Sequence, residues 1–79
     1  MDAIDTPGLR TLIDARAVKT IVVIGTRDGY TVEVNGGLVL HTQRAQVRAF
    51  KSCSAVIMYM KRIGVNRFVL DVKDIDDGY

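Results

Sequence analysis

Six basic side chains in one acid-free stretch of the sequence could bind a polyanion. The stretch runs over residues 44–67, and its cations are Arg44, Arg48, Lys51, Lys61, Arg62 and Arg67. Lysine and arginine carry positive charge at the end of long stems, and arginine can bind two phosphate oxygens at once. We therefore predict that these six residues, here called the basic set, contact nucleic acid.

The charge of the remaining sequence is compatible with two interpretations. The net charge is only +2, and residues 68–79 contain four aspartates and one lysine. Such an uneven distribution favours an anionic partner for one face of the protein. The alternative is an ordinary solvated surface, on which the acidic residues after the basic stretch balance its charge in space.

The residue types needed for catalysis are nearly absent. His41 is the one histidine and Cys53 the one cysteine, and the pattern places them on different elements. No acid is recognisable that would orient a cysteine–histidine pair, so we interpret Cys53 as a small core residue and His41 as a surface or pairing residue. One imidazole does not make a metal site. The sequence therefore predicts a protein that is not an enzyme, with no catalytic residue, metal, cofactor or small-molecule substrate.

Length and composition favour one small cytoplasmic domain. The chain has 79 residues, near the lower limit for a single core without other support. No apolar run reaches the roughly 18 residues of a membrane span, and the first five residues include two aspartates where a signal peptide would be basic. We predict a single domain over residues 1–79, frayed at 1–5 and 74–79, that does not contact a membrane.

A helix and an interior strand are predicted at the beginning of the chain. Thr6 and Pro7 are typical of a helix start, with the hydroxyl as the cap. Apolar residues at helical spacing continue the helix to about Ala17. Residues 20–25 are β-branched and apolar on both faces, which predicts a central strand covered on each side.

Two further strands and a hairpin follow. Residues 30–34 alternate between apolar and polar side chains, which is typical of a strand with one buried face. Asn35 and Gly36 both tolerate positive φ and form the strongest short hairpin signal in the sequence. Residues 38–41 are predicted to return as the third strand.

The next segment allows two interpretations, of which we favour the first. Residues 47–50 are predicted to form a short fourth strand, because Ser52 is then free to cap a helix that begins at Cys53. The alternative is a long helix that begins at Gln43. In the favoured interpretation, the second helix continues to about Ile63 and ends at Gly64.

A final strand over residues 67–71 completes the predicted fold. The order is α-ββββ-α-β, an α+β domain whose antiparallel sheet is covered by two helices. The predicted apolar face of the second helix is Cys53, Val56, Ile57, Met60 and Ile63. The predicted buried residues are Val23, Val32, Phe50, Val56, Met60 and Phe68.

Self-association is expected for a domain of this size. A short chain with one cysteine has no internal disulfide, and burying surface in a partner supplies stability that its core lacks. Met58 and Tyr59 lie off the predicted apolar face of the second helix. We therefore predict a homodimer, with these two residues at the interface.

Four segments resemble the small ParC-type partition-associated proteins that are encoded beside partition genes on bacterial plasmids. They are residues 17–25 (AVKTIVVIG), 28–34 (DGYTVEV), 42–52 (TQRAQVRAFKS) and 63–71 (IGVNRFVLD). This group is unrelated to the topoisomerase subunit of the same name. The resemblance implies an accessory role in plasmid maintenance in a bacterium, and it supplies no catalytic motif.

A weaker resemblance concerns residues 28–64, which are similar to the three-stranded sheet and helix of integrase arm-binding domains. Those domains place the sheet in the DNA major groove. Double-stranded RNA-binding domains share the α-βββ-α order, but their second helix begins with a lysine-rich segment, whereas this chain has Ser-Cys-Ser-Ala at residues 52–55. We therefore favour DNA over RNA.

These observations predict a non-enzymatic accessory protein of plasmid partition or maintenance. It is expected to bind DNA, or a DNA-bound partition protein, through the basic set. The alternative is a dimeric protein-interaction module without affinity for nucleic acid.

Overall fold

The computed structural model describes the backbone of residues 2–74 and the side chains of residues 2–72. Its elements are β1 (Asp2–Ile4), α1 (Thr6–Asp14), β2 (Ile21–Thr26), β3 (Gly29–Val34), β4 (Leu38–Leu40), α2 (Cys53–Ile63) and β5 (Val69–Asp74). The predicted α+β class is confirmed, but the order is β-α-β-β-β-α-β and not α-ββββ-α-β. The frayed tail was predicted at 74–79, which is wrong at Asp74 because this residue ends β5, and residues 75–79 lie outside the described residues.

The five strands form one mixed sheet in the order β1-β4-β3-β2-β5. β3 runs antiparallel to its neighbours β2 and β4, whereas β1 is parallel to β4 and β5 is parallel to β2. The prediction of a purely antiparallel sheet is therefore wrong at both edges. The physical reason is connectivity, because a long connection that contains a helix can return a strand in the parallel direction and a tight hairpin cannot.

The first residues of the chain, predicted to be frayed, form strand β1. Asp2 pairs with Leu38 and Ile4 with Leu40. The His41 amide donates to the Ile4 carbonyl at 2.8 Å, and the Ile4 side chain packs against the core. A strand of three residues is too short to show an alternating pattern in the sequence. β1 can therefore be recognised as a strand only from its pairing with β4.

Residues 47–50, predicted to be a fourth strand, make only two isolated bridges. Val47 faces His41, and Phe50 faces Tyr30. Phe50 and Tyr30 exchange two backbone hydrogen bonds of 2.8 Å. The Phe50 side chain is 8% exposed, whereas Val47 is 51% exposed. The segment is therefore anchored beside the sheet by one aromatic residue, and the alternative of a helix across it does not form.

Helix α1 is capped by a different residue from the one predicted. The Gly8 amide donates to the Asp5 carboxylate at 2.8 Å, so Asp5 is the N-cap and Thr6 is the first helical residue. The helix also ends before the predicted Ala17. Arg16 adopts φ 56°, a left-handed conformation that turns the chain away from the helix axis.

Helix α2 has the predicted boundaries. The Ala55 amide donates to the Ser52 hydroxyl at 3.2 Å, which confirms the N-cap. Gly64 ends the helix with φ 87°, and the Val65 amide donates to the Met60 carbonyl at 2.8 Å. This is the pattern of a glycine-terminated helix whose last carbonyls are satisfied by the following turn.

The hydrophobic core lies between the two helices and one face of the sheet. Its buried members are Leu9, Ile21, Val23, Val32, Val34, Leu40, Phe50, Val56, Tyr59, Met60 and Ile63. Phe68, also predicted to be buried, packs partly exposed against this cluster. Along β2, buried residues alternate with half-buried ones. The strand is interior to the sheet, but its second face is only half covered, contrary to the prediction.

The buried face of α2 is rotated from the predicted one. Tyr59 is 6% exposed and belongs to the core, whereas Ile57 is 45% exposed and Met58 is 63% exposed. The prediction that Tyr59 lies at an interface is therefore wrong. Its ring contacts Phe50 with centroids 5.1 Å apart, so the side of the helix that turns inward is the side that meets the anchored segment 47–50.

The hairpin between β3 and β4 is confirmed at its predicted position. Asn35 and Gly36 adopt φ 55° and 75°, the positive φ that the sequence signal predicts, within a loop of three residues between the paired Val34 and Leu38. The Asn35 side chain also reaches the linker between α1 and β2. Its amide oxygen accepts from the Lys19 amide at 2.6 Å, and its amide nitrogen donates to the Ala17 carbonyl at 3.1 Å.

Candidate functional site

A pocket of about 220 Å³ lies where α1, the end of β4, the following loop and α2 meet. Its lining residues are Thr6, Arg10, His41, Thr42, Gln43, Arg48, Tyr59, Arg62 and Ile63. We call it the arginine pocket, because Arg10, Arg48 and Arg62 reach it from three different segments. Arg48 and Arg62 belong to the predicted basic set, and Arg10 does not.

Helical spacing brings the two helical arginines to this pocket. Arg10 lies four residues after Thr6 on α1, and Arg62 lies three residues after Tyr59 on α2. Residues separated by three or four positions share one face of a helix. The Thr6 hydroxyl and the Tyr59 hydroxyl form a hydrogen bond of 2.8 Å, so the two helix faces meet at the wall of the pocket.

A tight loop carries Arg48 back to the end of β4. The Thr42 hydroxyl accepts from the amides of Arg44 and Gln46 at 3.2 and 3.3 Å, and Ala45 turns with φ 62°. The Arg48 amide then donates to the Leu40 carbonyl at 2.9 Å. Arg48 thus lies beside the end of the strand that leads into His41.

The guanidinium of Arg48 is held over two aromatic rings. Its central carbon lies 5.1 Å from the ring centroid of Phe50 and 5.0 Å from that of Tyr59. Arginine stacks well on aromatic faces because its guanidinium is planar and weakly hydrated. Arg48 is half-buried, so this positive charge has a fixed position.

His41 lines the same pocket and is half-buried. Its ring nitrogen Nδ1 is buried and has no hydrogen-bond partner among the described residues. An unpaired buried polar atom is unusual, since most find a partner in the protein or in solvent. His41 was predicted to be a surface or pairing residue, and its bridge to Val47 confirms the pairing, but the buried ring nitrogen was not foreseen.

The charge of the arginine pocket is one-sided. No carboxylate is among its lining residues, and the described part of the chain gives none of its three arginines a carboxylate partner. Asp5 is close in sequence, but its side chain caps α1. Like charges that converge in a partly enclosed space repel each other, and an anion relieves that repulsion. The pocket is therefore suited to an anionic ligand.

The other members of the basic set lie elsewhere. Arg44, Lys51 and Lys61 are exposed and do not line this pocket. Arg67 lines a different groove, of about 640 Å³, together with Lys19 and the β-strand residues Ile21 and Val69. The structure thus brings two of the six predicted cations together and separates Arg67 from them.

Arg10 and His41 are the site residues that sequence reasoning missed. Arg10 lies close to Arg48 and Arg62 because β1 pairs in parallel with β4 and places α1 beside the end of that strand, where His41 follows β4 directly. The sequence signal available for Arg10 was its four-residue spacing from Thr6. That spacing places both residues on one face of α1, but it does not indicate that this face meets α2.

Comparisons with protein-family models, with curated proteins and with solved structures found no match to this chain.

The described residues contain no cluster of three or more histidine, cysteine, aspartate or glutamate side chains that could hold a metal ion. No helix among them is both long enough and apolar enough to cross a membrane.

Proposed function

We propose that this chain is a non-enzymatic DNA-binding module that contacts the phosphate backbone with a basic surface centred on the arginine pocket. The observation that carries the proposal is the convergence of Arg10, Arg48 and Arg62 in a pocket with no carboxylate among its described lining residues. The biological setting proposed is the accessory role in plasmid partition or maintenance that the sequence resemblance implies. In that setting the DNA can be bound directly or together with a DNA-bound partition protein.

The chemistry of the site supports a backbone contact more than base recognition. Arginine binds phosphate oxygens in pairs, and contacts to phosphate fix position without reading sequence. Phe50 is buried, and the Phe50 and Tyr59 rings are occupied by each other and by Arg48. They offer no stacking platform for unpaired bases of the kind that single-strand binders use. Duplex DNA of any sequence is therefore the expected ligand.

The proposal is tested by fluorescence anisotropy with labelled duplex DNA at two salt concentrations. The logarithm of the association constant should fall with the logarithm of salt concentration, by about 0.9 for each phosphate neutralised. The double variant Arg10→Glu/Arg62→Glu should bind at least about a hundredfold more weakly, because each charged hydrogen bond contributes about 1.5 kcal/mol or more.

The matched control is Arg16→Glu/Lys19→Glu, which reverses two exposed cations outside the basic set. It changes the net charge by the same amount, so equal loss in both double variants would show a general field effect and contradict a surface centred on the pocket. Absence of binding by the wild-type protein at low salt would contradict the DNA proposal itself.

A second candidate, a dimeric protein-interaction module, is favoured by the outer strand of the sheet. Within the described part of the chain β5 pairs only with β2, and Val69, Leu70 and Val72 on this strand are 62%, 40% and 53% exposed. An edge strand with exposed apolar residues can pair with the same strand of a second copy. This candidate needs no nucleic acid. The two candidate functions are compatible if the dimer places two basic surfaces on one duplex.

A further inference from the structure

We infer that the arginine pocket is a discrete binding site for one phosphate group, and not only the centre of a diffuse basic surface. The inference rests on the proposed function in so far as a DNA strand is one source of that group. It also makes a claim that DNA binding alone does not require, namely that a small phosphate compound binds here by itself.

The size of the pocket fits a small anionic group. Its volume is about 220 Å³, below the roughly 300–1,000 Å³ of pockets that enclose drug-sized ligands. A phosphate with part of an attached sugar is of the right order, whereas a nucleotide with its base is too large to be enclosed. Among the described residues that line the larger groove beside Arg67, two are cations, Lys19 and Arg67, and they offer no comparable convergence of charge.

The geometry of the pocket limits the entropy that a bound anion would have to overcome. Arg48 is already fixed on the rings of Phe50 and Tyr59, and Tyr59 is fixed by its hydrogen bond to Thr6. Binding groups that are held in place before the ligand arrives lose less freedom on binding. Arg10 and Arg62 are exposed, and they can close on the ligand from the two helices.

The imidazole of His41 lines the pocket beside the three arginines. Its Nδ1 atom is buried without a partner among the described residues, which leaves Nε2 as the ring nitrogen that can meet a ligand. Three guanidinium groups, one imidazole and the Thr42 hydroxyl on the same wall provide more donors than a carboxylate could use. A phosphate group, with up to three acceptor oxygens around one centre, matches such a donor set.

The test is a titration of isotope-labelled protein with inorganic phosphate, followed by two-dimensional NMR at constant ionic strength maintained with chloride. The expected result is a saturable shift confined to amides of the pocket, among them those of Arg10, His41 and Arg62, with an affinity in the millimolar range. Shifts that stay linear in phosphate, or that spread over all exposed lysines and arginines, would overturn the inference.

Single substitutions test which residues contribute to the affinity for phosphate. Arg10→Gln should weaken phosphate binding about tenfold, which corresponds to about 1.4 kcal/mol. Lys61→Gln is the matched control, because Lys61 is an exposed cation next to Arg62 that does not line the pocket, and it should change the affinity less than about twofold. Equal effects of the two variants would overturn the inference. His41→Gln, with the spectrum reporting that the fold is kept, should also weaken binding.

The source of the phosphate group is distinguished with short oligonucleotides that carry or lack a 5′-phosphate. Stronger competition by the phosphorylated strand assigns the pocket to a terminal phosphomonoester, and equal competition assigns it to a backbone diester. Saturable phosphate binding without any DNA binding would contradict the proposed function and leave this inference standing. DNA binding without saturable phosphate binding would contradict this inference and leave the proposed function standing.

Discussion

At the scale of single residues, Arg48 is distinguished from the other cations of the basic set by its surroundings. It is half-buried over two aromatic rings, whereas Arg44, Lys51 and Lys61 are exposed. Reversing its charge would disturb the packing of Phe50 and Tyr59 as well as the charge of the pocket. For this reason the binding tests use Arg10 and Arg62, whose loss removes charge with little packing.

At Gly29 the addition of a single methyl group should lower the stability of the fold. Its φ is 138°, and an added Cβ would lie 2.5 Å from the Phe50 carbonyl oxygen. That oxygen accepts the Tyr30 amide hydrogen bond that holds segment 47–50. Gly29→Ala should therefore lower the free energy of unfolding by about 2–4 kcal/mol, measured by urea denaturation.

The control for this substitution is Gly37→Ala. An added Cβ at Gly37 meets nothing within 4 Å, so the free energy of unfolding should change by less than about 0.5 kcal/mol. If both substitutions have the same small effect, the close approach of Phe50 to the β2–β3 turn is wrong.

Individual residues were predictable from the sequence where one local interaction decides their role. Ser52 and Gly64 at the ends of α2 follow from capping alone. Tyr59 was misplaced because the side of α2 that turns inward depends on Phe50, nine residues earlier. Arg10 and His41 were missed because their roles depend on segments far apart in the chain.

At the scale of elements, the hairpin between β3 and β4 also fixes the linker that follows α1. The Asn35 amide oxygen accepts from the amides of Lys19 and Thr20 at 2.6 and 3.2 Å, and its nitrogen donates to the Ala17 carbonyl. The Asn35 amide also donates to the Thr20 carbonyl at 2.8 Å. One side chain in a turn thus ties the end of the first helix to the sheet.

Two substitutions at Asn35 separate its side chain from its backbone conformation. Asn35→Gly keeps the left-handed conformation and removes the side-chain hydrogen bonds, so the free energy of unfolding should fall by about 1–2 kcal/mol. Asn35→Ala adds the cost of a left-handed φ and should be less stable than Asn35→Gly by about 1 kcal/mol. Thermal unfolding measures both, and an Ala variant as stable as the Gly variant would contradict the left-handed φ of 55°.

Elements were predictable where a period or a turn marks them. α2, the β3–β4 hairpin and the interior strand β2 occur where the sequence pattern placed them. β1 and the segment 47–50 were not predictable, because a three-residue strand and two isolated bridges are defined by their partners and not by their own sequence. The parallel direction of the edge strands has the same cause.

At the scale of the whole molecule, both helices cover one face of the sheet and leave the other face partly open. On the open face Val22 and Ile24 are only half-buried, and at the edge β5 exposes Val69, Leu70 and Val72. A domain this small has little apolar area to leave uncovered. The predicted homodimer is therefore proposed to form at β5, and not at Tyr59, which is buried.

Sedimentation equilibrium tests the dimer over a range of protein concentrations. The wild-type protein should show a reversible monomer–dimer equilibrium at micromolar concentration, and Val69→Lys should shift it towards monomer by at least about tenfold, because a charge at the edge opposes strand pairing. Met58→Lys is the matched comparison, since Met58 is equally exposed, at 63% against 62%, but lies on α2.

Two results would contradict this assignment. A loss of dimer in Met58→Lys with no change in Val69→Lys would place the interface on α2. A wild-type protein that remains a monomer of 8.7 kDa at hundreds of micromolar would remove the dimer altogether.

The parallel pairing of β5 with β2 also affects how the chain folds during its synthesis. β2 is apolar along most of its length, and it becomes an interior strand only when β5 pairs with it. β5 is the last described strand to be synthesised, so β2 remains an open edge while the rest of the sheet can already form. Strands rich in valine and isoleucine, uncharged and without proline, aggregate readily when exposed. A substitution that weakens β5 should therefore reduce the yield of recoverable protein more than its effect on equilibrium stability indicates.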